Sequence, residues 1–198
     1  RRQRQMCIRD RNVHSFNLAS NNKWLQDFFN RADIVRLDGA GVALGARILG
    51  YSPPSRITWA DFAWSLAALA EDVGFTIFLL GGRPGVAQKA AGRLCERFPQ
   101  LSIAGLHHGY FDKQRDSEEN RSVIEMVKAA KPDILIVGFG MPVQEKWLSE
   151  NIDALDAKVI MTGGAVFDYV SGDLKRAPRW MTTYGMEWLG RLVIEPQR

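Results

Sequence analysis

Three glycine-rich turns and a few polar side chains carry most of the chemical content of this sequence. Gly81, Gly82 and Gly85 follow the apolar run 75–80, Gly138, Gly140 and Met141 follow 133–138, and Gly163 and Gly164 follow 158–162. Glycine lets a backbone approach a ligand closely, and the N-terminus of the next helix offers unpaired amides to a phosphate. A tight turn uses the same residues, so one such turn decides little, but three behind three apolar runs point to a nucleotide-sized anion. Gln144 and Glu145 fall in the first turn of a helix expected from 143, where they are either ligand contacts or capping groups. Asp38 ends the run ADIVRLDG and is read either as a general base or as the cap of a helix beginning at Ala40. Arg56, closing the Pro-rich turn YSPPSR, is read either as a bidentate grip on a phosphate or as a solvated surface arginine.

Several chemistries lack their residues. There is no G-x-G-x-x-G; the nearest match, at Gly138 and Gly140, has Lys158 twenty residues on, where an acid for a ribose is expected. That leaves a nicotinamide-dependent oxidoreductase or epimerase as the alternative reading, with a non-catalytic nucleotide-binding domain behind it. No P-loop, no G-x-S-x-G elbow and no D-x-D metal motif occurs. His14, His107 and His108 have no cysteine or carboxylate at ligand spacing, so no metal site and no cofactor is expected.

The elements that must position these residues alternate. A helix is expected over NLASNNKWLQDFFN with Ser20 as its N-cap, then a strand to Asp38, a small-residue helix over 40–50 and a longer helix from Trp59 to about Val73, stopped by Gly74. Strand 75–80, helix 86–98, strand 101–105, helix 117–130, strand 133–140, helix 143–151 and strand 158–164 follow, with a last apolar helix over 180–193. Apolar runs each followed by a helix predict an α/β fold, a Rossmann-like parallel sheet with helices on both faces, as a single domain with a smaller N-terminal sub-lobe. Ligands of such sheets lie beyond the carboxyl ends of the strands, where Asp38 and all three glycine turns fall.

With 198 residues and near-average apolar content, the chain makes one domain. Its net charge of +4 is concentrated in residues 1–11, RRQRQMCIRDR; the remaining residues hold 21 basic and 21 acidic side chains, so no nucleic-acid partner is expected. That segment is neither a signal peptide nor an apolar anchor, and it reads as a non-native leader standing outside a domain of residues 12–198. No apolar run approaches the roughly 20 residues of a membrane span, and two cysteines give no disulfide or zinc pattern, which fits a reducing cytoplasmic setting.

The strings ADIVRLDGAGVALGARILG, SRIT, FLLGGRPG, GYF, PDILIVGFGMPVQEKW, TGGAVFDYVSGDLKRAPRW and MEWLGRLVIEPQR together resemble the WecG/TagA/CpsF glycosyltransferase family, glycosyltransferase family 26. The resemblance covers about Asn12 to Arg198. It implies an inverting, metal-independent transferase that moves an N-acetylmannosamine-type sugar from a UDP donor to a polyprenyl-diphosphate-linked N-acetylglucosamine. It also implies peripheral contact with the inner face of the cell membrane, a role in teichoic acid or exopolysaccharide synthesis, and self-association as a further partner question. On this resemblance Asp38 matches the family's general base. Asn12, Arg56 and Gln144 match its active-site residues, and Tyr110 matches the tyrosine near the uridine. Two departures stand out: Asp10 occupies a position where the family has Thr, and the sequence stops at Arg198, where the family continues into a basic segment. A fragment shortened at both ends is therefore expected, and the apolar stripe on the helix over 180–193 is read either as a seat for lipid or a partner subunit or as packing on the sheet.

Overall fold

The computed structural model describes residues 5–54 and 57–174. Its strands sort their side chains by parity. In β3 (Thr76–Gly81), Ile77 and Leu79 enter one apolar layer while Phe78 and Leu80 enter the other; β5 (Ile134–Gly138) does the same with Ile134 and Ile136 against Leu135 and Val137. Strands buried on both sides need a helical layer on each face, and each fully buried large side chain contributes about 1.5–3 kcal/mol. The first layer is α4 (Trp59–Val73), α5 (Val86–Arg97) and α8 (Val166–Ser171). The second is α1 (Val13–Ser20), α2 (Lys23–Asn30), α6 (Glu118–Ala130) and α7 (Val143–Asn151). A further helix, α3 (Ala40–Ile48), contributes no fully buried residue.

With β1 (Met6–Arg11), β2 (Ile34–Leu37), β4 (Ser102–His107) and β6 (Val159–Thr162), the six strands form one parallel sheet in the order β2-β1-β6-β5-β3-β4. This is the expected Rossmann-like α/β architecture, and the N-terminal part joins the same sheet through β1 and β2. Because all strands run the same way, Asp38, His107, Gly138 and Gly163 emerge at one edge.

Three local expectations are corrected. The segment expected to stand outside the domain contributes a strand to it: Met6–Arg11 is β1, hydrogen-bonded between β2 and β6, with Ile8 opposite Ile34 and Met161. Its charged residues disguise it, because Arg9 lies with its guanidinium 3.5 Å from the Phe28 ring centroid and Arg11 sits 4.7 Å from that of Phe29. The helix expected through Ser20 is two helices. Asn22 donates its side-chain amide to Leu18 O at 2.7 Å and Gln26 donates to Ala19 O at 2.7 Å, so side chains satisfy the last carbonyls of α1 where the chain turns. On α2, Leu25, Phe28 and Phe29 are buried while Trp24 is exposed. Third, α8 follows the Gly163–Gly164 turn, where no helix was expected. The helix over 180–193 and Arg56 lie outside the described residues.

Candidate functional site

The carboxyl ends of β3, β5 and β6 open on a cavity of about 1080 Å³. Of the residues singled out by sequence, Gly82, Tyr110, Gly138, Gly140 and Gly164 line it. Its wall is thin because backbone meets backbone. Gly81, at φ +149°, pairs in register with Gly138, and a Cβ built on Gly81 would lie 2.6 Å from Gly138 C and 2.8 Å from its Cα. A Cβ on Gly138 would in turn meet Gly164 O at 2.8 Å, and one on Gly109 would meet Phe139 Cδ1 at 2.8 Å. Gly81, Gly138 and Gly164 therefore stack backbone against backbone while the Phe139 ring closes on Gly109, which positions the loops as one surface.

The role expected of the turn amides is partly corrected. Gly82 N–H donates to Gly138 O at 3.1 Å, Gly109 N–H to Gly82 O at 2.8 Å, Gly163 N–H to Val137 O at 2.7 Å and Gly164 N–H to Gln144 Oε1 at 3.1 Å. Each is committed inside the protein, because a parallel sheet that ends in register spends its last amides joining neighbouring loops. Gly85 caps α5 in the left-handed region, Met141 packs against the α6–α7 core layer and precedes a cis bond to Pro142, and Gly163 packs on Val166; none of the three lines the cavity.

Sequence reasoning did not single out the side chains that give the cavity its polarity. Lys113 spans the aromatic wall, with Nζ 4.4 Å from the Phe111 ring centroid and 4.8 Å from that of Phe139, and it donates to the carbonyls of Gly109 and Phe111. Desolvation in this position holds its ammonium below the usual lysine range. Arg83 is the other cation on the wall among the described residues, and Asp112, Glu119, Asp168 and Asp173 also line it. Phe111, Phe139 and Trp147 meet edge to face with centroids 5.4–6.3 Å apart, and Trp147 Nε1 donates to Asn120 Oδ1 at 2.7 Å, which fixes the aromatic wall on α6. Tyr110, 66% exposed, stands at the rim. Only a GYF string followed by a lysine hinted at this arrangement.

Asp38 and Asn12 form a second cluster on the same edge but not on the cavity wall. Asp38 follows β2, its N–H donating to Arg11 O at 2.8 Å. Asn12 caps α1, accepting from Ser15 N–H at 2.9 Å, and its Cβ lies 3.9 Å from where a Gly39 Cβ would stand. Beneath them Arg36 pairs bidentately with Asp10 at 2.7 and 2.8 Å, stacks over Trp59 at 4.4 Å, and Trp59 Nε1 donates to Asp10 and to Thr162 O. Burial pushes the Asp10 carboxyl up to about 6, against the pull of Arg36, and the nearby Asp38 charge adds to the rise. At about 4.8 Å per strand, Asp38 stands three strands, roughly 14 Å, from the end of β5. The ends of β1 and β6 lie between.

Among the described residues no group of three or more His, Cys, Asp or Glu is arranged to hold a metal ion, and no helix is long and apolar enough to cross a membrane. A sequence profile described as "Glycosyl transferase WecG/TagA/CpsF family" matches residues 1–198. The chain belongs to this family.

Among its relatives, an N-acetylglucosaminyldiphosphoundecaprenol N-acetyl-beta-D-mannosaminyltransferase of Bacillus subtilis (strain 168) is 31% identical over 173 residues, covering 87% of this chain and 65% of the relative. The enzyme of the same name from Staphylococcus aureus (strain MRSA252) is 29% identical over 187 residues, covering 94% of this chain and 71% of the relative. The chain thus spans about two thirds of the length of the curated relatives it matches. As a WecG/TagA/CpsF member it carries both halves of the edge: a glycine-walled cavity over β3, β5 and β6, and an Asp38–Asn12 cluster over β1 and β2.

Proposed function

We propose that this WecG/TagA/CpsF member transfers an N-acetylmannosamine-type sugar from a UDP donor to a polyprenyl-diphosphate-linked N-acetylglucosamine, with inversion and without a metal ion. The observation that carries this reading is the division of one sheet edge into a nucleotide-sized cavity and a carboxylate cluster about 14 Å away, a span suited to an elongated sugar nucleotide. The nucleotide occupies the glycine-walled cavity beside Tyr110, and its sugar points across the end of β6 toward Asp38.

In this mechanism the Asp38 carboxylate accepts the proton of the acceptor hydroxyl as that oxygen bonds to the anomeric carbon. The bond from that carbon to the diphosphate breaks, and its electron pair leaves on UDP. Arg83 and Lys113 are the described cations on the cavity wall available to the leaving diphosphate, and Arg56 is the further cation proposed from sequence. Asn12 orients the acceptor beside Asp38, and Gln144 acts on the site through Gly164. The acceptor is lipid-linked, so the enzyme works at the inner membrane face as a peripheral protein; a homo-oligomer is compatible with this arrangement.

Calorimetric titration with UDP, with EDTA and separately with magnesium, tests donor binding: the expected result is binding unaffected by either addition. Asp38→Asn should keep that affinity while transferase turnover falls by roughly 10²- to 10⁴-fold, the usual contribution of a general base. Full turnover in Asp38→Asn removes the assigned base, and absence of UDP binding refutes the donor assignment.

A further inference from the structure

Gln144 is 3% exposed and Glu145 is fully buried, both at the start of α7 behind the cavity wall. The Gln144 amide lies between two groups. Its Oε1 accepts the Gly164 N–H at 3.1 Å, and its Nε2 donates to Glu145 Oε1 at 2.8 Å. Gly164 lines the cavity, and its carbonyl lies where a Cβ on Gly138 would touch it. The Gly164 N–H that Gln144 holds belongs to the peptide joining Gly163 and Gly164, so the tilt of that peptide sets where Gly164 stands in the wall that the proposed nucleotide meets.

A glutamine amide has a donor end and an acceptor end, and reversing it exchanges them. The Gly164 N–H can only donate, so it needs the oxygen end; the NH₂ end must then find an acceptor inside the protein. Glu145 supplies it. A carboxyl presents an oxygen on either arm, whereas an amide at 145 would present one on only one arm. We infer that Glu145 is a positioning residue: by accepting from Gln144 Nε2 it fixes the orientation of the Gln144 amide, which in turn holds the Gly164 peptide at the tilt the donor nucleotide requires.

Two further observations fit. Glu145 Oε2 is buried with no hydrogen-bond partner among the described residues, so Oε1 is the oxygen that meets the Gln144 amide. Burial pushes its carboxyl up to about 7, which leaves it largely neutral below that pH, and a neutral carboxyl still accepts through its carbonyl oxygen. With Glu145 replaced by an apolar residue, the Gln144 NH₂ would be buried without a partner, and the amide would lose the preference that keeps its oxygen on Gly164.

The inference deepens the UDP-binding reading and rests on it for its affinity readout, so the test has two arms. In the first, amide hydrogen exchange is measured on the full chain. Glu145→Met and Gln144→Leu should each speed exchange at Gly164 by about 10-fold, while Leu135 and Ile136 in the middle of β5 stay unchanged. Unchanged exchange at Gly164, or an equal rise at the β5 amides, overturns the inference; the second result marks general destabilisation. If Glu145→Met does not fold, Glu145→Gln replaces it, with a smaller rise at Gly164 expected because one of its two orientations still offers an oxygen.

In the second arm, UDP is titrated into the two single variants and the double variant. Each single variant should weaken binding by about 10-fold and the double by the same factor, because Gln144 works only when Glu145 aligns it. A double variant weakened by about 100-fold, the product of two independent losses, overturns the inference. Failure of the unaltered chain to bind UDP refutes the proposed donor while leaving the exchange result to decide the role of Glu145.

Discussion

Gly81→Ala is the substitution with the most to say about the glycine-walled edge. The new Cβ would stand 2.6 Å from Gly138 C and 2.8 Å from Gly138 Cα, with Gly138 O nearer still. Ordinary contact begins near 3.4 Å, so clearing Gly138 C alone requires the two strand ends to part by about 0.8 Å, and clearing Gly138 O requires more. Every obstructing atom is backbone, and none can rotate away. The backbone of Gly81, at φ +149°, is also one that side-chain-bearing residues rarely adopt. Overpacking costs about 1–3 kcal/mol and a sparsely populated backbone about 1–3 kcal/mol more. Taking roughly 3–4 kcal/mol, the melting temperature should fall by about 6–16 °C for a chain of this size. Thermal denaturation followed by circular dichroism reads this directly. The matched control is Gly92→Ala on the exposed face of α5, where a Cβ has nothing within 4 Å and no positive φ to oppose it; helix propensity predicts a gain of about 0.5–1 kcal/mol. A Gly81→Ala protein melting within about 2 °C of the parent refutes the close-approach argument, whatever the control does.

Two further outcomes are expected. Stability should depend on Glu145 as pH rises: burial, reinforced by the Asp10 charge and opposed by Gln144 and Arg9, raises its carboxyl from 4.5 to about 7, so the folded state holds a proton the unfolded chain has lost. Its contribution is fully present below about 4.5 and lost as pH climbs through about 7, so Glu145→Gln should show a smaller drop in urea midpoint between about pH 5 and about pH 7.5; Asp10, raised to about 6, leaves a residual slope of the same sign. Ser117→Ala removes the hydroxyl that accepts the Asn120 N–H at 3.1 Å and caps α6, and should cost about 0.5–2 kcal/mol by urea denaturation.

The sequence was most legible where a single local rule governed the outcome. The helix Trp59–Val73 ends at Gly74 as read, because a glycine at φ +72° closes it. The runs at 76–81, 134–138 and 159–162 are strands because no helix-period polar face interrupts them. Legibility failed where the deciding partner was remote. Arg9 and Arg11 become strand residues only because Phe28 and Phe29 offer ring faces to them. The break between α1 and α2 depends on Asn22 and Gln26 reaching back to carbonyls of α1. At the site, the glycine turns could be read, but the commitment of their amides could not, since it follows from Gly81 and Gly138 meeting in register across 57 residues of sequence. Lys113 escaped notice for the same reason: one of the two rings beneath it, Phe139, belongs to a different loop.

The position of β1 inside the sheet bears on how the chain is made. Residues 6–8 pair with residues 159–161, so this strand gains its second neighbour only after some 150 further residues have been added. At roughly 5–20 residues per second, β1 waits about 8–30 s with one row of backbone groups unpaired. Until β6 arrives, β2 is its only sheet partner, and Phe28 and Phe29 of α2 can shield part of its surface through Arg9 and Arg11. Closure of the sheet is thus a late, long-range event, the kind of topology that folds slowly and that most needs protection from intermolecular strand pairing while the ribosome is still at work.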